Sequence, residues 1–259
     1  NSNERIPYVS RIGDRYYNFW RDAQHERGLW RRTTLEEYRK PSPAWETVLD
    51  LDALGVAEKE SWVWEGARTL EPENRRALVS LSRGGADASV MREFDLVTKQ
   101  FVPDGFVLPE SKSTAGWLDQ DRLYVGFAFD STTMTTSGYP RITKEWRRGT
   151  PLSAATTVYE GQLTDVGVGA YRDHTPGFER DFVSRNITFY SSEMFLRRDG
   201  KLVKIDKPDD ANANVWREWL LVTLRTPWTV GGKTFAAGSL VATRFDDFMA
   251  GKREFQSLF

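Results

Sequence analysis

Short runs in which apolar and polar residues alternate recur along the chain, separated by Gly, Pro, Asp and Asn. A period of two is typical of strands that bury one face, and many such strands indicate a sandwich, a barrel or a propeller. Helical periodicity is scarce, because Leu35–Arg39 is too short to be stable alone and Asp246–Gly251 is long enough for one turn only. The pattern predicts strands at Tyr16–Trp20, Trp45–Leu49, Ala77–Leu81, Val90–Leu96, Leu123–Phe129, Thr156–Tyr159, Phe182–Tyr190 and Leu220–Leu224.

An internal repeat favours the propeller. A strand that runs into a hairpin turn begins at Trp30-Arg31-Arg32 and recurs at Trp146-Arg147-Arg148 and, more loosely, at Phe195 to Leu202. A second version, Arg92 to Asp95, returns as Thr243 to Asp246. The turns fall near residues 32, 95, 148, 198 and 246, which is close to the period of about 40–50 residues of four-stranded blades.

A further copy lies one strand earlier, where Leu70–Val79 parallels Leu118–Val125. It places a turn between the first and second strands of each blade. Because neighbouring blades cover both faces of a sheet, we expect the 10 Trp to fill the spaces between blades.

Composition excludes several classes of function. The net charge is −1, from 36 Lys and Arg against 37 Asp and Glu with both signs interleaved, so neither a nucleic acid nor a membrane is predicted as a partner. The chain has no cysteine, which excludes disulfides, thiolate nucleophiles and Cys-ligated metals. Without a targeting segment the compartment stays unknown, and we expect the cytoplasm rather than the periplasm.

Seven stretches spread along most of the chain carry a resemblance to a known family. They are Arg5–Val9, Arg15–Asp22, Gly28–Thr34, Val79–Asp87, Arg92–Asp95, Ser137–Arg141 and Trp216–Leu224. These stretches resemble the prolyl oligopeptidase family of serine peptidases. The resemblance implies a seven-bladed propeller that covers an α/β-hydrolase domain, and a chain of this length accounts for roughly four to five blades.

We therefore expect an all-β, truncated propeller over residues 15–259, with residues 1–14 as a segment leading into it. The other blades and the catalytic domain would lie beyond Phe259. By the resemblance, the whole protein would be a serine endopeptidase that cleaves short peptides after proline, and the propeller would cap the active site and filter substrates by size. Its partners would be the hydrolase domain of the same polypeptide and short proline-containing peptides. Self-association through exposed blade faces is also predicted.

No catalytic, cofactor-binding or metal-binding residue is predicted in this chain, and no cofactor. A hydrolase of the α/β class needs a G-x-S-x-G elbow, which does not occur here. The two histidines, His25 and His174, lie in turn-rich contexts and are interpreted as solvated loop residues. A metal shared by both histidines and a carboxylate is the weaker alternative. By itself the chain should be inactive.

Other residue groups have a structural interpretation beside a functional one. The acidic pairs Asp209-Asp210 and Asp246-Asp247 would suit a glycosidase only if two carboxylates faced each other across a sugar. Gly84-Gly85 and Gly167-Val168-Gly169 lack the further residues that cradle phosphate. The sequon Asn186-Ile187-Thr188 lies inside a predicted strand. The arginine pairs Arg31-Arg32, Arg147-Arg148 and Arg197-Arg198 would either attract peptide carboxylates or pack their stems on aromatic rings.

A second function class stays open at this point. A free-standing propeller that presents a rim to a protein or a glycan would have the same sequence pattern. The length of the native gene product separates the two hypotheses.

Overall fold

Five antiparallel sheets, four of them with four strands and one with five, follow one another along residues 8–259, the part of the chain that this computed structural model describes. We number them blades 1 to 5. In blades 1, 3 and 4 the strands pair in chain order. The strands are β1 Ser10–Ile12, β2 Arg15–Trp20, β3 Leu29–Thr33 and β4 Glu46–Asp50 in blade 1; β5 Trp62–Thr69, β6 Arg76–Arg83, β7 Ser89–Asp95, β8 Gln100–Phe101 and β9 Val107–Ser111 in blade 2; β10 Thr114–Asp119, β11 Arg122–Gly126, β12 Ile142–Arg147 and β13 Thr156–Glu160 in blade 3; β14 Gly167–Asp173, β15 Arg180–Asn186, β16 Ser192–Arg198 and β17 Lys201–Lys204 in blade 4.

Blades 2 and 5 depart from this plan. The outer strand of blade 2 is split, so that both β8 and β9 pair with β7. Blade 5 pairs β18 Asn212–Trp216, β19 Trp219–Thr223, β22 Leu240–Arg244 and β23 Gln256–Ser257, with the hairpin of β20 Trp228–Val230 and β21 Lys233–Phe235 inserted between its second and third strands. Five sheets of this kind confirm the predicted all-β, partial propeller of four to five blades.

The first strands of neighbouring blades lie side by side. The Arg68 guanidinium on β5 donates to the Ala115 carbonyl on β10, and the Trp117 indole on β10 donates to the Arg68 carbonyl at 2.9 Å. His174, just after β14, contacts the Trp117 carbonyl at 3.0 Å. In a propeller the strands that meet in this way line the central channel.

Antiparallel order gives each sheet two distinct ends. At one end the first strand turns into the second and the third into the fourth, and we call it the hairpin end. At the other end, the loop end, lie the connections from second to third strands and from blade to blade. The predicted turn after Leu70 and its copy after Leu118 are both confirmed at the hairpin end, between β5 and β6 and between β10 and β11.

The sequence repeat corresponds to the third strand of every blade. Trp30 lies in β3, Phe94 in β7, Trp146 in β12 and Phe195 in β16, and Phe245 follows β22 directly. The period is thus the distance from one blade to the next. The repeat was correctly interpreted as a strand running into a turn.

Three clusters of buried apolar side chains join blades 1 and 2, blades 2 and 3, and blades 4 and 5. Trp30, Trp62, Trp117 and Trp146 are buried in them, as predicted. The prediction was wrong for Trp216, whose residue surface is 58% exposed. It lies in the first strand of the last described blade, so no neighbour covers that face.

The predicted single turn agrees with α3 Phe245–Met249, whereas the run judged too short to be stable alone does form a four-residue helix, α1 Leu35–Tyr38, with Thr34 as its N-cap. The sequence patterns missed α2 Leu51–Glu58. Asp50 is the N-cap of this helix, and its carboxylate accepts a hydrogen bond from the Ala53 amide. Only Leu51 of that helix is buried, so it has no apolar stripe to detect. No described helix is long and apolar enough to cross a membrane.

Two predicted strands were too long. The run Leu123–Phe129 ends at Gly126, and Phe182–Tyr190 ends at Asn186 because residues 187–191 form a turn. The segment predicted to lead into the propeller, residues 1–14, contains β1, which pairs with β2. Residues 1–7, including most of the family-like stretch Arg5–Val9, lie outside the described residues.

Candidate functional site

The channel wall is the surface on which the described blades converge. A cavity of about 420 Å³ is lined by the first strands β5, β10 and β14, with Trp117 and Tyr171 among its residues. Burial, and then the nearby Asp173 carboxylate, raise the pKa of Tyr171 to about 12, so its hydroxyl stays protonated at neutral pH. The wall can therefore offer hydrogen bonds and an aromatic surface to a ligand.

At the hairpin end the channel opens into a larger depression of about 610 Å³. Its rim carries both signs of charge, and some of these charges are paired. Arg122 donates to Asp119 at 2.7 Å and to Glu145 at 3.0 Å. Burial alone would raise the pKa of Asp119, but its hydrogen bonds from Arg122 and the Asp121 amide outweigh burial and lower it. Asp119 is therefore held as an ionised carboxylate beside Arg122.

The two histidines lie at opposite ends of the sheets. His25 lies between β2 and β3, at the loop end, where its Nδ1 is 3.0 Å from the Asp22 carboxylate. His174 lies between β14 and β15, at the hairpin end. They therefore cannot share a ligand or a triad. Within residues 8–259, no group of three or more His, Cys, Asp or Glu is arranged to hold a metal ion.

Neither acidic pair forms a two-carboxylate site. Asp246 and Asp247 open α3, where Asp246 is 3.4 Å from Arg180 and Asp247 is 2.9 Å from Lys252. Asp209 lies 3.6 Å from Lys204, and Asp210 accepts a hydrogen bond from Thr226 at 2.8 Å. Each carboxylate thus has a partner of its own, and the structure gives the glycosidase alternative no support.

The glycine groups have the structural roles that were preferred. Gly84 and Gly85 form the turn between β6 and β7 with φ of +63° and +85°. A side chain at Gly167 would place its Cβ 3.2 Å from the Cβ of Tyr139, which confirms tight packing there. The sequon at Asn186 begins at the end of β15 and runs into a turn, so its placement inside a strand was wrong.

The arginine pairs are used structurally. Arg31 lies between Trp20 and Trp45, with its guanidinium carbon 4.3 Å from each ring centre, and burial, opposed by the Asp22 charge, lowers its pKa to about 10. Arg32 forms two hydrogen bonds with Glu46, which lower the pKa of that carboxyl to about 2. Both side chains stay charged at neutral pH.

In blades 3 and 4 one arginine of each pair reaches the preceding blade. Arg148 forms two hydrogen bonds with Glu93 of blade 2, at 2.8 and 3.0 Å, and stacks on Phe106. Arg197 contacts Glu145 of blade 3 at 2.7 Å and the Tyr124 hydroxyl at 2.8 Å. Their pair mates Arg147 and Arg198 are exposed. One arginine of each pair therefore lies against an aromatic ring, as predicted, and the group over the ring is the guanidinium.

Sequence reasoning missed the acceptors Glu93 and Glu145. A signal was present, since Arg92-Glu93-Phe94 and Lys144-Glu145-Trp146 share the order cation, glutamate, aromatic at the same place in the repeat. Neighbouring strand residues face opposite ways, so the glutamate reaches the next blade while the aromatic ring packs on the previous one.

The arrangement of consecutive antiparallel blades agrees with the result of comparing the chain with known protein families. The model of the prolyl oligopeptidase N-terminal β-propeller domain matches residues 2–177. The chain belongs to the prolyl oligopeptidase family. This is a family of serine peptidases, and the present chain is similar to its N-terminal propeller domain.

The relatives of this chain in the prolyl oligopeptidase family are longer proteins. It is 38% identical over 233 residues to uncharacterized peptidase y4nA of Sinorhizobium fredii, covering 87% of the chain and 32% of that protein. It is 30% identical to uncharacterized peptidase RP174 of Rickettsia prowazekii, covering 93% of the chain and 36% of that protein. The chain thus spans about a third of the length of these curated relatives.

A solved structure shows the same arrangement of blades. It is described as a post-proline cleaving enzyme from Rickettsia typhi, and it matches this propeller with a TM-score of 0.91 and 31% identity. The match covers 99% of the chain and 40% of the solved chain. Both sequence and fold therefore relate the chain to one part of a larger peptidase.

Proposed function

We propose that the chain is the non-catalytic propeller portion of a serine endopeptidase that cleaves short peptides after proline. An α/β-hydrolase domain of the same polypeptide would supply the serine, aspartate and histidine. The observation that carries the proposal is a channel lined by consecutive blades in a chain that spans 32–40% of its relatives. The similarity to a post-proline cleaving enzyme from Rickettsia typhi supports proline as the cleavage signal.

The chain supplies no nucleophile, base or acid in this proposal. Its role is steric, because a covered active site admits narrow, unfolded peptides and keeps out folded proteins and bulk water. The pairing of Asp119 and Glu145 with Arg122 supports this role, since a carboxylate held by a cation is poorly suited to donate a proton.

The loop end is the better candidate for contact with the hydrolase domain. The connection over residues 127–141 is long, and long ordered connections on a rigid scaffold commonly carry function. The turn between β15 and β16 presents Phe189 and Tyr190, which are 84% and 68% exposed. Two adjacent exposed aromatic rings are typical of a surface that another domain covers.

Substitution in the whole protein tests this docking face. Phe189→Ser with Tyr190→Ser should weaken the domain contact and increase proteolytic nicking between the domains, without loss of propeller folding. Val97→Ser, which changes an exposed apolar residue at the hairpin end, is the matched control. Equal nicking of both variants would contradict the assignment of the loop end.

The size filter is tested by comparing two substrates of the whole protein. A short proline peptide should be cleaved much faster than a denatured proline-rich protein, and removal of the propeller should reduce that difference if the hydrolase domain still folds. Equal cleavage of both substrates by the intact protein would refute the filter. Cleavage unrelated to proline would refute the proposed specificity.

The 259-residue chain alone should not hydrolyse a fluorogenic Gly-Pro peptide. Turnover that survives purification and titrates with a serine-directed inhibitor would overturn this expectation. The competing hypothesis, a free-standing binding module, predicts a native product near 29.7 kDa, whereas the peptidase predicts roughly three times that mass from the length of its relatives. Intact mass of the native product decides between them.

The chain alone should also associate in solution. The face of blade 5 that points away from blade 4 exposes Trp216, beside the half-buried Trp219 and Leu221. Apolar surface of this kind favours contact with a second copy when no further blade covers it. Light scattering that shows only monomer at high protein concentration would count against this self-association.

A further inference from the structure

One face of blade 5 is covered by no other described blade. Along β19 and β22 successive side chains point alternately toward blade 4 and away from it, and Leu220 packs in the apolar cluster that joins the two blades. Trp219 therefore points away from blade 4. The strand register places Trp216 and Arg244 on either side of Trp219, so all three side chains lie on the same side of the sheet. We call this side the outer face of blade 5.

Arg244 is a charged residue of the outer face. It is exposed, and its guanidinium carbon lies 5.5 Å from the ring centre of Trp219. Within residues 8–259 no hydrogen bond or ion pair engages this guanidinium. A depression of about 570 Å³ lies beside it. The charged residues that line this depression are Lys233, Arg244, Asp247, Lys252, Arg253 and Glu254, so cations outnumber carboxylates there.

Arg244 occupies a fixed place in the repeat, directly before the aromatic ring of the third strand. The residues at this place are Glu93, Glu145, Met194 and Arg244 in blades 2 to 5. Each glutamate accepts a hydrogen bond from an arginine of the next blade. These arginines are Arg148 and Arg197, and each comes two residues after the aromatic ring of its own blade. The residue before one ring thus contacts the residue two places after the next ring.

Blade 4 has an uncharged residue at this place. Met194 is 6% exposed and lies in the apolar cluster between blades 4 and 5. Two residues after Phe245, blade 5 has Asp247, which binds Lys252 of its own blade at 2.9 Å. The two facing places therefore change together in the described blades. A carboxylate faces a cation, and an apolar side chain faces no charge.

A further blade on the outer face would remove Arg244 from water. Withdrawing a cation from water is costly unless a carboxylate pairs with it. An arginine at the facing place, as in blades 3 and 4, would add repulsion between like charges. An apolar residue there would leave the guanidinium buried and unpaired. Of these three kinds of residue, only a carboxylate satisfies Arg244.

We infer that the next blade of the polypeptide presents an aspartate or glutamate to Arg244, so that the ion pair between these two blades runs in the reverse direction. The carboxylate belongs two residues after the third-strand aromatic ring of that blade. This inference rests on the proposed function, in which the polypeptide continues into further blades. The reversed pair also gives specificity, because the outer face of blade 5 rejects a surface that carries an arginine, such as those of blades 3 and 4.

Zero-length cross-linking of the whole protein tests the pair. A carbodiimide joins a carboxylate to an amine in contact with it through an amide bond, and takes up the released water as a urea. Arg244→Lys supplies a reactive amine at this place. We expect mass spectrometry of the digested protein to find the lysine introduced at position 244 joined to an Asp or Glu that lies after residue 259 in the polypeptide.

Two variants calibrate the reaction. Arg197→Lys is the positive control, because Arg197 lies 2.7 Å from Glu145 in the described blades and should yield that cross-link. Arg198→Lys is the negative control, because Arg198 is exposed at the hairpin end of blade 4 and no carboxylate within residues 8–259 pairs with it.

The outcomes separate this inference from the proposed function. A cross-link from position 244 to the predicted place would support the reversed pair. A whole protein in which position 244 joins no carboxylate, or only one within residues 8–259, would overturn the pair and leave the proposed function standing. A native product near 29.7 kDa would overturn the proposed function and this inference together.

Exchange of the two charges provides a second readout that needs no cross-linker. Arg244→Glu in the whole protein should lower the midpoint of thermal unfolding, because two carboxylates then face each other. Replacing the facing carboxylate by lysine in the same chain should restore most of the loss. Arg198→Glu is the control and should leave the midpoint unchanged. Equal losses for the single and the double variant would contradict the pair.

Discussion

The interface between blades 2 and 3 and the interface between blades 3 and 4 contain the same pair of residues in different surroundings. In each, a glutamate on the third strand of one blade accepts a hydrogen bond from an arginine of the next blade. The pairs are Glu93 with Arg148 and Glu145 with Arg197. Glu93 lies beside an apolar cluster with Phe106 at its centre, and its side chain is 1% exposed. Glu145 pairs with the buried Tyr124 in its sheet, and its side chain is 17% exposed. The same ion pair is therefore almost dry between blades 2 and 3 and partly solvated between blades 3 and 4, and the burial of the carboxylate decides what the loss of its arginine costs.

The largest expected difference uses two consecutive residues of β11 that face opposite interfaces. Leu123 faces blade 2 and Tyr124 faces blade 4, and both are buried. Leu123→Ala should lower the free energy of unfolding by roughly 2–5 kcal/mol, since it removes buried methyl groups and leaves a cavity. Tyr124→Phe should lower it by about 1 kcal/mol, since only a hydroxyl is lost. Urea unfolding measures both, and equal losses would break the comparison.

The next difference concerns the two arginines. After Arg148→Met, the buried Glu93 carboxylate keeps only the Phe106 amide at 2.9 Å and Arg76 at 3.9 Å as partners. We therefore expect the free energy of unfolding to fall by about 3 kcal/mol. Arg197→Met leaves Glu145 partly solvated and still 3.0 Å from Arg122. The free energy of unfolding should therefore fall by only about 1 kcal/mol.

The same unfolding measurement provides the control for this pair of arginine variants. Adding Glu93→Gln to Arg148→Met should restore part of the lost stability, because the unpaired buried charge is gone. A greater loss for Arg197→Met than for Arg148→Met would reverse the ranking of the two interfaces.

Acid should weaken the contact between blades 3 and 4 at the Glu145–Arg197 pair. Burial alone would raise the pKa of Glu145, but its hydrogen bonds from Arg197 and Arg122 outweigh burial and lower it. Within blade 4, a hydrogen bond from Lys204 is the main cause of the lowered pKa of Glu193 on β16. A carboxylate with a lowered pKa in the folded state stabilises it above the unfolded pKa, here 4.5, and that stabilisation is lost as pH falls below this value.

Spin labels on paired cysteines report this acid effect locally, with Arg147→Cys and Arg198→Cys placed across blades 3 and 4 and Val97→Cys and Arg147→Cys across blades 2 and 3. Between about pH 5 and about pH 3, the 147–198 distance should lengthen while the 97–147 distance holds. Simultaneous lengthening of both pairs would show that acid unfolds the whole propeller rather than weakening the contact between blades 3 and 4.

The smallest expected effect is at Thr143. Thr143→Val replaces a buried hydroxyl that has no partner, so stability should stay within about 0.5 kcal/mol or rise slightly. Thr33→Val is the matched control in β3, because the Thr33 hydroxyl donates to the Ala44 carbonyl at 2.7 Å and its loss should cost about 1 kcal/mol. Calorimetry of both variants checks this, and a marked loss for Thr143→Val would show that a water or another group satisfies the hydroxyl.

Local patterns predicted well those strands in which apolar and polar residues alternate. The runs that begin at Tyr16, Ala77, Val90 and Leu220 all overlap observed strands, and the last two extend one residue beyond them. First strands such as β14 were missed, because Gly167, Gly169 and Ala170 on the channel wall lack the apolar side chains that produce alternation. The split outer strand of blade 2 was missed too, since Pro103, Asp104 and Gly105 read only as a turn.

The amino-acid sequence by itself determined the number of blades described and the position of each third strand, because a repeated strand and turn need only local propensity and a fixed period. It also determined the absence of cysteine chemistry. The tertiary structure alone decided which residues meet across the blades. The partners Glu93 and Arg148 are far apart in the chain, and the same residue types could equally pair within one blade. Contacts between blades depend on how sheets stack, and the spacing along one strand carries no information about that stacking.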